Sequence, residues 1–221
     1  SFELHKGEIL GFSGLMGAGR TETARALFGA DPKESGKIYI NGKEVDIKNP
    51  MDAVKHGIGY LSEDRKRYGI VVGKSVAENS TMATMDQFMS GAFINKKKER
   101  AIAQKYVDSL KTKTPNVDQL VVNLSGGNQQ KVVIAKWLVR NCDILIFDEP
   151  TRGIDVGAKY EIYVLMNKIV EQGGAIIMIS SELPEVLSMS NRVLTVCDGR
   201  ITGEFSPEEV DPSEIMDRAI G

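Results

Sequence analysis

Residues 11–22 read GFSGLMGAGRTE, and how this stretch is understood decides the fold. It follows the run Glu8-Ile9-Leu10 and leads into Thr23-Ala24-Arg25-Ala26-Leu27-Phe28, so the local order is strand, glycine-rich turn, helix. Gly14, Gly17 and Gly19 stand where a phosphate-cradling loop places them, and Thr21 follows. The pattern GxxxxGK(S/T) is met over residues 14–21 at every fixed position except one, where Arg20 replaces the lysine. In a loop of this kind backbone N–H groups, backed by a helix N-terminus, favour phosphate oxygens, and the Thr21 hydroxyl can hold Mg²⁺. A lone glycine-rich turn also serves tight geometry and nothing more, so the rest of the chain has to decide.

Short β-branched runs alternate with helical patterns along most of the sequence: EILGF, KIYI, GIGYL, DILIFDE, AIIMIS and RVLTVC. The alternation predicts an α/β domain on a largely parallel sheet. In RVLTVCDGRITGEF, Asp198-Gly199 lies between two alternating runs and signals a hairpin, hence an antiparallel element beside the parallel core. Over residues 78–122 the β-branched runs thin out, Met82, Met85 and Met89 collect, and Lys96-Lys97-Lys98 opens a helical pattern. Ile102, Tyr106 and Leu110 follow at i, i+4 and i+8 as an expected apolar stripe. This segment is expected to be a helical subdomain inserted in an α/β core that otherwise takes residues 1–221. Its lysines read as a solvated helix face or as a phospholipid or partner contact, and its methionines as a docking surface or as internal packing.

Two further stretches carry chemistry. DILIFDEP, residues 143–150, ends an apolar strand in adjacent carboxylates: Asp148 is placed to hold Mg²⁺ through water, and Glu149 to orient or deprotonate an attacking water. The carboxyl ends of strands are where ligands bind in open α/β sheets. LSGGNQQK, residues 124–131, precedes an apolar helix; Ser125 reads as its N-cap, and Gly126-Gly127 leave backbone N–H groups uncovered for an anion.

The composition bounds what these sites can serve. Lys+Arg 28 against Asp+Glu 30 gives a net charge of −2, so there is no overall positive field to hold a nucleic-acid backbone. Cys142 and Cys197 are in no CxxC or metal-ligand spacing and read as buried, reduced thiols of a cytosolic protein. No apolar run suggests a membrane span, and SFELHKGEI lacks the form of a signal peptide. Starting in a strand-like alternation without a methionine, the chain reads as a piece of something longer.

GLMGAGRT, LSGGNQQK directly before a helix, ILIFDEPTRGIDVGAK and AIIMISSELPEV, in this order, resemble the ATP-binding domain of ABC transporters over almost the whole chain. LSGG is similar to that family's signature motif, and Gly153-Ile154-Asp155 to its D-loop. Together with SEDRK, these phrases look like the second of two ATP-binding halves in bacterial monosaccharide importers of the ribose and galactose group. The resemblance implies a P-loop NTPase core with ATP and Mg²⁺ as cofactors. It implies as partners another ATP-binding half or a homodimer mate, a transmembrane sugar permease and, indirectly, a sugar-binding protein, at the cytoplasmic face of the bacterial inner membrane.

Carried over position by position, the resemblance puts Gly14, Leu15, Met16, Gly17, Ala18, Gly19, Arg20, Thr21 and Glu22 on the nucleotide. Ser125, Gly126, Gly127 and Gln129 would meet a nucleotide bound by the opposite half, since family members bind ATP between two domains. Thr21, Asp148 and Glu63 would hold the metal, and Glu149, Ser181 and Glu63 would act in catalysis. Arg20, Glu63 and Ser181 depart from the family's lysine, glutamine and histidine. The aromatic that stacks on adenine precedes the first strand in the family, with Phe2 as its nearest substitute here. These departures imply a sound signature beside an impaired loop. The alternatives are a nucleotide-binding regulatory half that does not hydrolyse ATP, and a soluble ABC protein of DNA repair or translation, for which neither a basic surface nor a long coiled-coil insertion is found.

Overall fold

The computed structural model describes residues 1–90 and 93–220. In chain order its elements are β1 Ile9–Ser13, α1 Arg20–Leu27, β2 Ile38–Ile40, β3 Lys43–Val45, α2 Pro50–Lys55, β4 Ile58–Leu61, α3 Val76–Thr81, β5 Met89–Ser90, β6 Phe93–Ile94, α4 Lys96–Ser109 and α5 Gly126–Val139. They continue with β7 Ile144–Asp148, α6 Val156–Glu171, β8 Ala175–Ile179, α7 Leu183–Met189, β9 Arg192–Cys197, β10 Arg200–Phe205 and α8 Pro212–Ile220. The chain divides into two compact units. The first comprises Ser1–Tyr60, Asp143–Pro150 and Met166–Gly221, and the second Leu61–Cys142 and Thr151–Leu165.

The first unit is built on a sheet of order β10-β9-β1-β8-β7-β4. β1 runs parallel to β8 and β9, and β7 parallel to β8. β1 and β8 are buried at every position and β7 at all but its first, as strands covered on both faces must be. The register pairs Phe12 and Asp148 with Ile179, so β7 and β8 end level and β1 runs one residue further, all toward one edge. β9 and β10 form the expected antiparallel hairpin, with Asp198 at φ 47° and Gly199 at φ 71° in its tip. The mainly parallel α/β fold with an antiparallel part is therefore the one the sequence predicts.

KIYI takes a different place from the one its β-branched pattern suggests. Ile38–Ile40 pairs antiparallel with Lys43–Val45 in a separate two-stranded ribbon, turning through Asn41 and Gly42 at φ 50° and 76°. A two-residue Asn-Gly turn closes a hairpin and is too short for a parallel crossover.

In the second unit, α3 and α4 pack on α5. α3 begins in a capping box: Ser75 Oγ accepts from the Glu78 backbone N–H while the Glu78 carboxylate accepts from the Ser75 N–H. The unit reaches well beyond residues 78–122, because the apolar helix α5 is the surface against which the other helices bury their faces. It also contains the short antiparallel pair β5 and β6, so it is not wholly helical. The buried face of α4 is Glu99, Ala103 and Val107, continued by Leu110; Ile102 and Tyr106 sit half-buried at its border, one position off the expected stripe. Glu99 can take an inner place because Thr81 donates to it and Lys96 pairs with it at 2.8 Å. Lys96, Lys97 and Lys98 are exposed, and so are Met85 and Met89, which excludes internal packing for those two methionines. Cys142 is buried and Cys197 half-buried, and neither is in a disulfide.

Lys136 is the unusual member of α5. It is buried, its Nζ donates to the Gly69 carbonyl at 2.8 Å, and burial pushes its ammonium down from 10.5 to about 8. Below pH 8 both folded and unfolded chains carry this proton, so stability is flat and bears the cost of the buried charge. Between pH 8 and 10.5 only the unfolded chain does, so stability rises with pH, by about 3 kcal/mol at ~1.4 kcal/mol per unit. Urea unfolding of the wild type and Lys136→Met across this window checks it: the rise is expected in the first and missing in the second. Tyr60 and Tyr106, whose pKa values burial raises on folding, contribute equally to both proteins and cancel in the comparison.

Candidate functional site

Residues 14–21 lead from the buried end of β1 into α1, and the backbone there is one that glycine adopts readily. Gly14, Gly17 and Gly19 have φ of 155°, 81° and 94°. At Gly14 a Cβ would stand 2.3 Å from the Val196 carbonyl, and at Gly19 2.9 Å from Gly199 Cα, so the loop lies directly on the β9–β10 hairpin. The hairpin tip donates to it, Gly199 N–H to Ala18 O at 2.7 Å. Nothing stands within 4 Å of a Cβ at Gly17, whose side of the loop is open. α1 has no side-chain cap, which leaves its first N–H groups to a ligand. Met16 is almost fully exposed, Leu15 exposed, Ala18 buried and Glu22 exposed.

Four of the predicted residues meet beneath this loop. Thr21 Oγ1 donates to Asp148 Oδ1 at 3.0 Å, an oxygen pair suited to a hard divalent cation that keeps water and phosphate as its other ligands. Ser181 Oγ donates to Glu149 Oε2 at 3.2 Å, and Glu149 holds a left-handed φ of 49°, uncommon for a non-glycine residue. Burial raises the carboxyl pKa of both Asp148 and Glu149. Hydrogen bonds from Tyr60 and Thr21 to the first and from Ser181 to the second, together with the Arg20 charge, hold the rise back.

Arg20 itself is buried and committed: its Nη1 donates to the Ser180 carbonyl at 2.6 Å. Ser180 Oγ donates in turn to Glu185 and accepts from the Glu182 N–H at 3.0 Å, which fixes the corner after β8. The cation of the loop is thus tied to the strand end that carries Ser181.

Tyr60 is a site residue that the sequence reading missed. Its hydroxyl donates to Asp148 Oδ2 at 2.6 Å, its ring stacks on Phe28, and burial followed by the Asp148 charge pushes its pKa up. Its position inside the predicted strand GIGYL was the only available signal, and it does not mark a partner. In Tyr60→Phe the buried Asp148 carboxylate loses a donor, at a cost of about 2 kcal/mol. A thermal melt is expected to fall by roughly 4–8 °C for a chain of this size. The Asp148 pKa would rise further, and Mg²⁺ titrations at acid pH would show weaker binding.

A cavity of about 410 Å³ lies beside α1, lined among others by Phe2, Phe12, Thr23, Arg200 and Ile201. Phe2 packs edge-on against Phe12, with ring centroids 5.3 Å apart.

The other predicted residues belong to the second unit. Glu63 is exposed and ion-paired with Arg152. Ser125 holds the N-cap position of α5 with extended backbone, but makes no side-chain cap; its Oγ accepts from Asn128 Nδ2 at 2.8 Å. Asn128 Oδ1 accepts from the Lys113 N–H at 2.8 Å, so this side chain spans two loops and competes successfully for the serine. Gly127 lies against α6, where a Cβ would stand 2.5 Å from that of Ala158. Gln129 is buried and donates to the Val121 and Leu124 carbonyls at 3.2 Å.

The family model described as ABC transporter matches residues 1–152. A Burkholderia lata protein bearing the name of a ribose/galactose/methyl galactoside import ATP-binding protein is 58% identical over 99% of this chain and 43% of its own length. A xylose import ATP-binding protein of Thermoanaerobacter pseudethanolicus is 57% identical over 100% of this chain and 44% of its own. The chain therefore spans less than half the length of the curated relatives it matches. A solved nucleotide-free ATP-binding cassette from an ABC transporter aligns with a TM-score of 0.84 at 22% identity, over 100% of this chain and 90% of that one. A dimeric cassette in a post-hydrolysis state with ADP and Pi gives 0.78 at 21%, over 93% and 88%. At such identities these two speak for the fold alone, whereas the family match and the curated relatives speak for descent: the chain belongs to the ABC transporter family, as one of its ATP-binding domains.

Proposed function

We propose that this chain is one of two ATP-binding halves of an ATPase that powers bacterial import of a monosaccharide of the ribose, galactose or xylose class. In this reading its own loop binds nucleotide weakly and turns it over slowly, and its signature turn completes the opposite site. It works at the cytoplasmic face of the inner membrane with a sugar permease and, indirectly, a sugar-binding protein. No helix among the described residues is long and apolar enough to cross a membrane. Exposed Tyr68, Val71, Val72, Met85 and Met89 are where the permease would dock. The names of the curated relatives support the sugar class.

The observation that carries the assignment of roles is the bond from Arg20 Nη1 to the Ser180 carbonyl. A lysine ammonium would reach between phosphates as a point charge; this guanidinium is held to the protein's own backbone through Nη1. The open side of residues 14–21 and the first N–H groups of α1 would take phosphate oxygens, Thr21 and Asp148 would hold Mg²⁺, and Phe2 lines the space available to the base. Mg²⁺, when bound, neutralises charge on the phosphates. Glu149, with its raised pKa, is suited to accept a proton from water, while Ser181 orients it without the charge that a histidine can carry.

Titration with Mg-ATP tests this reading. Binding is expected in the micromolar to millimolar range, Arg20→Ala is expected to change Kd by less than about threefold, and Thr21→Ala to weaken it by about tenfold, the worth of one strong polar contact. Steady-state turnover of this domain alone is expected to lie far below ~10 s⁻¹, the median of ordinary enzymes. A tenfold loss of affinity in Arg20→Ala would place Arg20 on the phosphates and overturn the assignment.

A further inference from the structure

A turn, a loop and the start of α5, all in the second unit, meet on one guanidinium. Arg65 opens the π-helical turn Arg65–Gly69; its Nη1 donates to the Arg152 carbonyl at 3.0 Å, and its Nε points to Gln129 Oε1 at 3.5 Å. Gly126 lies against it, for a Cβ there would fall 2.7 Å from Arg65 Nη2 and 3.2 Å from the Gly153 carbonyl. Glu63, two residues earlier, pairs with the Arg152 side chain. The arrangement costs free energy, because the helix N-terminus repels a cation and burial lowers the Arg65 pKa. Such a cost argues for a positional task rather than for simple stabilisation.

The other end of the same turn is fastened as well. Lys136, ten residues along α5 from Gly126, donates to Gly69, the last residue of the turn. The turn therefore touches α5 at its first helical turn through Arg65 and near its far end through Lys136.

We propose that Arg65 and Lys136 strap the turn Arg65–Gly69 onto the signature helix, with Arg65 as the positioning residue that sets Ser125, Gly126 and Gly127 against residues 151–155. The inference rests on the reading that these residues complete the opposite nucleotide site. Arginine is needed because a planar fork can address a carbonyl and an amide together, whereas a lysine addresses one point.

The test uses the full-length protein assembled with its permease. Hydrogen exchange at the backbone amides of residues 129–132, which close the first helical turn onto residues 125–128, is followed in Arg65→Gln, Arg65→Lys and, as a control at an exposed neighbour, Lys66→Ala, with ATP kinetics on the same samples. Arg65→Gln is expected to speed that exchange by about tenfold or more, as the free energy of local opening falls. It is expected to lower kcat by about 10–10²-fold, the loss of one or two charged hydrogen bonds, with KM nearly unchanged. Arg65→Lys should leave kcat low, and Lys66→Ala should match the wild type. Unchanged exchange in Arg65→Gln, or a fall in melting temperature with kcat intact, would overturn the proposal. Faster exchange in Arg65→Gln together with normal turnover in Ser125→Arg would keep the strap and refute the reading of the signature turn instead.

Discussion

Ser125→Arg is expected to reduce ATP turnover of the full-length protein by at least ~10²–10³-fold, the typical cost of losing one donor to developing charge. Ser125 is exposed at the start of α5, with two side-chain-free residues behind it, so in the proposed reading an arginine there would occupy the space through which a γ-phosphate would reach the helix N–H groups. The fold should tolerate the change. The serine makes no side-chain cap, so the usual penalty of about 1 kcal/mol for losing one applies only in part, with a small dipole cost added. The melting temperature is accordingly expected to move by no more than a few degrees. Arg20→Ala, which releases the Ser180 carbonyl but removes nothing from the opposite site, should reduce turnover far less. The measurement is ATP hydrolysis of both variants in the assembled transporter after matched thermal melts. A larger loss in Arg20→Ala would mean that this chain's own loop carries the productive cycle.

Gly14→Ala is expected to have the largest effect on folding. The new Cβ would stand 2.3 Å from the Val196 carbonyl, a backbone atom of a buried strand that cannot rotate away, and the residue has a φ of 155°. Backbone strain of about 1–3 kcal/mol and overpacking of a similar size combine here. A fall in melting temperature on the order of 10 °C is expected, together with loss of nucleotide binding. Gly17→Ala provides the contrast, since a Cβ there meets nothing within 4 Å and only the φ of 81° is strained. A Gly14→Ala protein that melts like Gly17→Ala would show that the loop does not rest on the hairpin.

By itself the sequence determined whatever depends on neighbours in the chain. The glycine spacing of residues 14–21 marked the strand-to-helix turn, Asp198-Gly199 marked the hairpin, and the strand ending in Asp148-Glu149 placed both carboxylates at an edge of the sheet. Local backbone preference acts over a few residues, and it survives into the fold unchanged. Where two local rules competed, the shorter-range one won, as in the Asn41-Gly42 turn that took KIYI out of the parallel sheet. Only the tertiary structure decided what each site residue touches. Arg20 finds Ser180, Tyr60 finds Asp148, and Arg65 finds Arg152, pairs separated by 160, 88 and 87 residues. The charge of Arg20 was legible, but not its destination. A long side chain is placed by the acceptors that packing brings within reach of it, and no local pattern encodes which strand end will lie there.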